Sequence, residues 1–173
     1  MKGKWAEGIE PRNFVWVIKD ALATCERPGG YGEHHRRVRR QEEIIWVRQP
    51  RFDVVYSLIA GSHNLHNYEE LGMPFRHRPW PLHDQLAQYM EVLFTEIRGA
   101  VNAGLRVLVH KEEVDERLCG VMAAYLLWAG LVPDGPQVTA IAERIFQQRL
   151  GPHGRELVEI AISMEPSEES SDK

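Results

Sequence analysis

The densest group of side chains able to do chemistry lies within LRVLVHKEEVDERLCGVMAAYLLWAG, residues 105–130: His110, Lys111, Glu112, Glu113, Asp115, Glu116 and Arg117. The segment opens as an apolar run of strand character, turns, and continues as an amphipathic helix. In such a turn the backbone N–H groups and the positive end of the helix suit an anion. The turn itself is acidic. Four carboxylates stand against Lys111 and Arg117, so residues 111–117 sum to about −2. A phosphate dianion about 5 Å from one carboxylate, at an effective dielectric constant near 20, meets repulsion of several kcal/mol. The expectation is a site that plugs itself. Arg117 pairs with a carboxylate lodged where a phosphate would sit, a geometry suited to a bidentate contact, and Lys111 takes a second acid.

The elements that position this turn follow from periodicity. Residues 13–18 and 21–25 are rich in strand formers, and ERPGGYGE after them is a turn. Residues 34–48 carry no helix breaker and read as a helix. The short apolar run 52–60 fits a buried parallel strand. Residues 66–72 read as a short helix stopped by Gly72, and 75–80 as a strand. In 83–104 Leu86, Tyr89, Met90, Leu93, Ile97 and Val101 recur at helical spacing. Leu118, Val121, Met122, Tyr125 and Leu126 form the core stripe of the next helix. Two more helices begin near Pro136 and Pro152, where proline is tolerated. Strands alternating with helices imply an α/β fold with a central, mostly parallel sheet flanked by helices. Ligands in such sheets bind at the carboxyl ends of strands, which is where residues 110–117 stand.

A chain of 173 residues fits one domain, here residues 1–165, followed by a polar acidic tail, 166–173, expected to be disordered. The net charge of −4 argues against bulk attraction to nucleic acid or membrane. No run approaches the roughly 20 apolar residues of a membrane span, and the N-terminus lacks the apolar stretch of a signal peptide. A cytoplasmic protein is the expectation. Cys25 and Cys119 have no paired spacing and form neither a zinc nor a redox motif. His77, His83, His110 and the loop acids could in principle share a metal. No spacing of the HExxH kind supports one, so no metal and no cofactor is expected.

The same stretches carry a resemblance. The frame His110, Lys111, five residues, Arg117, with the helix GVMAAYLLWAG after it, is similar to the signature of the cysteine-dependent dual-specificity and tyrosine phosphatases. That signature is His-Cys, five residues, Arg, then Ser or Thr and Gly. FDVVYSLIA and NYEELGMPFRHRPWP resemble the family's strand, short helix and strand before its general-acid loop. NFVWVIKDALATCERPGGYG resembles the N-terminal strands of compact bacterial members. The resemblance spans roughly residues 13–150. It implies the phosphatase fold, with Lys111 at the nucleophile's position, Val114 at that of the loop glycine, Leu118 at that of the assisting hydroxyl, Cys119 at that of the next glycine and Leu82 at that of the general-acid aspartate. His83 and Asp84 stand one and two residues out of that register. An ammonium cannot form the thiophosphate that a low-pKa thiolate forms.

Three functions compete. The first is a catalytically inactive, pseudophosphatase-like binding or scaffolding module whose partner is a protein or a phosphorylated ligand, contacted by Arg117, His110, Lys111, His83 or Asp84. The second is a hydrolase that reuses the pocket with metal or His and acid chemistry. The third is a binder of nucleic acid or another anionic partner through HHRRVRR, with Arg36, Arg37, Arg39 and Arg40; a solvated helix face is the plainer reading of that stretch. ERPGGYG lacks the Lys-Ser/Thr ending of a phosphate loop and reads as a tight turn. Trp80-Pro81 is either an interface anchor or core. Cys119 reads as a small core residue.

Overall fold

The computed structural model describes residues 7–30, 33 and 35–164. The acidic tail and His34 lie outside the described residues. β1 (Val15–Ile18) turns back into β2 (Leu22–Glu26), an antiparallel pair. Asp20 takes a left-handed φ of 61° in the turn between them. The chain then forms α1 (Arg37–Val47), β3 (Val54–Ser57), α2 (His66–Glu70) and β4 (Phe75–His77). A 3-10 turn, His83–Gln85, leads into α3 (Leu86–Asn102). β5 (Val107–Lys111), α4 (Glu116–Trp128), α5 (Gly135–Phe146) and α6 (Gly151–Ser163) complete it.

The sheet order is β1-β2-β5-β3-β4, and every pairing except β1 with β2 is parallel. The mostly parallel sheet read from the alternation of elements is therefore present. α1 begins at Arg37, three residues later than the basic stretch suggested, and β5 runs one residue past His110 to include Lys111. Among the described residues no helix is long and apolar enough to cross a membrane.

β5 lies in the middle of the sheet and is buried along its whole length. Its side chains alternate between the two faces, as strand geometry requires. Leu108 packs with Ile44, Phe52, Tyr68 and Met73 on the α1/α2 side. Val107 and Val109 pack with Met90, Phe94, Val121 and Tyr125 on the α3/α4 side. The same alternation separates the next two residues. His110 continues the face of Leu108, and Lys111 continues the face of Val109.

Candidate functional site

At the carboxyl end of β5 a cavity of about 540 Å³ opens between the start of α4, the 80–86 segment and the start of α6. Lys111, Glu112 and Arg117 line it from the acidic turn, Trp80, Leu82, His83 and Leu86 from the segment before α3, and His153, Glu156 and Leu157 from α6.

Each acid of the turn is already engaged or points outward. Asp115 is the N-cap of α4, where its side chain accepts from the Leu118 N–H at 2.9 Å. Its second oxygen meets Lys111 Nζ at 3.2 Å. One carboxylate thus satisfies an orphan helix donor and neutralises a lysine that is 8% exposed. Lys111 also sits 5.1 Å from the centre of the Trp80 ring, within cation–π range. Glu112 accepts from the Ala60 N–H at 3.0 Å, tying the turn to the end of β3. Glu116 lies 3.6 Å from His153, and Glu113 is exposed.

The expected contact between Lys111 and a loop acid is therefore formed, with Asp115. The expected pairing of Arg117 with a loop carboxylate is not. Arg117 is half-buried, lines the cavity, and has no hydrogen bond or ion pair among the described residues. The acids are already committed elsewhere. Asp115 is committed to its own helix cap and to Lys111, Glu112 to the β3 side, and Glu116 to α6. The turn also lacks the alternating right- and left-handed residues that curl successive N–H groups into an anion nest. None of residues 111–117, Val114 included, has a positive φ.

The other sequence candidates divide. His110 is 1% exposed and on the far side of the sheet, with Nε2 2.8 Å from the Tyr68 hydroxyl. Burial lowers its pKa to about 4, so it is a neutral brace and does not face the cavity. Leu82 and His83 reach the rim; His83 and Glu156 share a hydrogen bond. Asp84 is exposed and outside the lining. His77 Nε2 lies 2.9 Å from the Ile59 carbonyl, held within the fold. Among the described residues no three His, Cys, Asp or Glu side chains converge as metal ligands. Cys119 is buried on α4, and Gln148 Nε2 donates to its sulfur. Burial pushes this thiol up to about 11. Cys25 is fully buried on β2, and burial raises its pKa as well.

Of the four arginines in the basic stretch only Arg40 is buried; Arg39 is half-buried, and Arg36 and Arg37 are exposed. Arg40 is 7% exposed and donates to Asn67 Oδ1 at 2.6 Å. Arg39 pairs with Glu43 at 2.6 Å, and Arg36 donates to the carbonyls of Glu33 and His35. Glu43, fully buried, also accepts from the Gly29 N–H at 2.8 Å. The glycine-rich turn after β2 thus holds a carboxylate from its own chain.

Sequence reasoning missed the α6 wall. His153, Glu156 and Leu157 are spaced three and four apart and so share a helix face, which the sequence displays. That this face meets the end of β5 is a property of the tertiary fold.

No protein-family model and no curated protein matches the chain. Solved structures do. The active form of Tk-PTP superposes with a TM-score of 0.68 at 17% identity, covering 88% of this chain and 98% of that one. Kinase associated phosphatase, with its catalytic-site cysteine substituted by serine, gives 0.71 at 15%, covering 88% and 96%. The fold is that of the dual-specificity and tyrosine phosphatases. The human tyrosine phosphatase-like serine/threonine/tyrosine-interacting protein shares it, at a TM-score of 0.59, 11% identity and coverage of 87% and 93%. At these identities the likeness carries the phosphatase fold and no activity.

Proposed function

We propose that this phosphatase-fold chain carries out no cysteine-based phosphoryl chemistry and acts as a binding module through the cavity beside β5. The observation that carries the reading is the Lys111–Asp115 pair at the mouth of the strand, where the resemblance puts the nucleophile. A protonated amine held by a carboxylate offers no nucleophilic lone pair. Cys119, in the first turn of α4, is a buried neutral thiol, and a thiolate is the reactive species. Leu118 supplies no hydroxyl and Leu82 no proton. Arg117, unpaired among the described residues at the cavity wall, supports a partner that presents an anionic group, either a protein or a small ligand. The human neighbour is, by its name, an interacting protein, which is consistent with a binding role on this fold.

The test is hydrolysis of a fluorogenic aryl phosphate by the wild type and by Cys119→Ser. The expected result is no vanadate-sensitive turnover in either. Vanadate-sensitive turnover in the wild type that Cys119→Ser abolishes would overturn the reading.

A further inference from the structure

The charges around the cavity specify more than an anion. Asp115 offsets Lys111, so the lining sets Arg117 against Glu112 and Glu156. Glu112 spends one oxygen on the Ala60 N–H and Glu156 one on His83. Both remain carboxylates facing the same space as the ligand. A group with one negative charge can take the arginine fork in a bidentate contact. A dianion makes the same contact and carries a second charge into the field of two glutamates. Besides His83 and His153, which are taken up by Glu156 and Glu116, the remaining wall is apolar, with Trp80, Leu82, Leu86 and Leu157. Leu82 is 71% exposed, so a nonpolar ligand body would cover it. The volume of about 540 Å³ suits a small ligand or a chain end; binding pockets commonly span roughly 300–1,000 Å³.

We infer that this cavity takes a ligand bearing a single carboxylate on an apolar body, gripped by Arg117, and that Glu112 and Glu156 select it over phosphate dianions. The inference rests on the binding role proposed above and names its ligand class. The carboxylate could belong to a small organic acid or to the free C-terminus of a peptide ending in an apolar residue.

Titration calorimetry with phenylacetate and phenyl phosphate, each a phenyl ring one atom from its head group, separates the two head groups on similar bodies. The carboxylate should bind at least tenfold more tightly at pH 8, where the phosphate is a dianion. Arg117→Gln should lose that binding, and Arg117→Lys, which keeps the charge without the fork, should fall between. Glu156→Gln should narrow the preference by improving phenyl phosphate. Circular dichroism checks that each variant is folded. A peptide ending in leucine, compared with its C-terminal amide, tells the sources apart. Binding of the free-acid peptide above that of phenylacetate assigns a chain end, and the reverse a small acid. Equal or tighter binding of phenyl phosphate, carboxylate binding indifferent to Arg117→Gln, or an unchanged preference in Glu156→Gln would overturn the inference. No binding of any probe, with no vanadate-sensitive turnover, overturns it and leaves the proposed function standing. Such turnover overturns the function itself.

Discussion

Lys111 and Asp115 show how a single side chain can serve a helix end and a buried lysine at once. Asp115 carries two duties, the cap of α4 and the charge balance of Lys111, and substitution can separate them. Asp115→Ala loses both and should cost about 2 kcal/mol. Asp115→Asn keeps a good cap and loses only the charge, so its urea midpoint should fall between wild type and alanine. If Asn and Ala unfold together, the cap contributes nothing here. His110 makes a second prediction, in pH. Its pKa is lowered by burial to about 4, against about 6.5 in an unfolded chain. The folded state therefore holds fewer protons than the unfolded state between these values. Stability from the neutral, buried ring is fully present above pH 6.5 and is lost as pH falls toward 4, by about 3 kcal/mol across the window. Chemical denaturation at stepped pH should show this slope, and His110→Gln should flatten it. A wild type equally stable at pH 7 and pH 4.5 would contradict the burial argument. At this scale the sequence was half legible. That Lys111 meets an acid could be read from the four carboxylates crowded into residues 112–116. The freedom of Arg117 could not, because it depends on Glu112 reaching Ala60 and Glu116 reaching His153, partners distant in the chain.

Among the elements, α4 and α6 pack most closely, and they do so through glycine. A Cβ built on Gly120 would stand 2.4 Å from the Gly154 Cα, a backbone atom that no rotamer change can move. This close approach brings the first two turns of α6, with His153 and Glu156, against the cavity. Two effects oppose each other in Gly120→Ala. Helix propensity favours alanine by about 1 kcal/mol. Overpacking against backbone costs about 1–3 kcal/mol and should win, giving a net loss of stability and a shifted α6. Gly99 in α3 is the control, since a Cβ there meets nothing within 4 Å. Gly99→Ala should gain about 0.5–1 kcal/mol. Denaturant midpoints moving in the same direction for both variants would refute the packing account. Helices and strands were readable because apolar spacing reports which face is buried: Leu86, Met90, Leu93 and Ile97 all lie in the core. Their ends were less readable. α1 starts at Arg37 without a side-chain cap, so no capping residue marked the boundary.

Across the whole molecule, the alternation of strands and helices specified a mostly parallel sheet, and the sheet is there. The strand order was not legible, since β5 joins β2 to β3 across most of the chain. That placement decides which side chains can meet. It puts His110 under α2 and Lys111 under α3 and α4, two neighbours in sequence on opposite faces of the sheet. It also docks α1 on α2, and this determines what the arginine-rich stretch can do. With a net charge of −4 the molecule has no general attraction for polyanions, and an arginine patch would need free guanidinium groups. Arg40 is instead buried against Asn67, itself 1% exposed. Truncating Arg40 leaves the Asn67 oxygen without that donor, and charged hydrogen bonds contribute about 1.5–3 kcal/mol. Arg40→Ala should therefore unfold at clearly lower urea by about 2 kcal/mol. Arg37→Gln, on the exposed side of α1, should stay within about 0.5 kcal/mol of wild type. Neither change should alter oligonucleotide affinity, which should be weak and lack the steep salt slope of a phosphate-binding surface. If instead Arg40→Ala leaves stability untouched while tight, salt-sensitive oligonucleotide binding disappears, the arginines serve a partner and their place in the core is incidental.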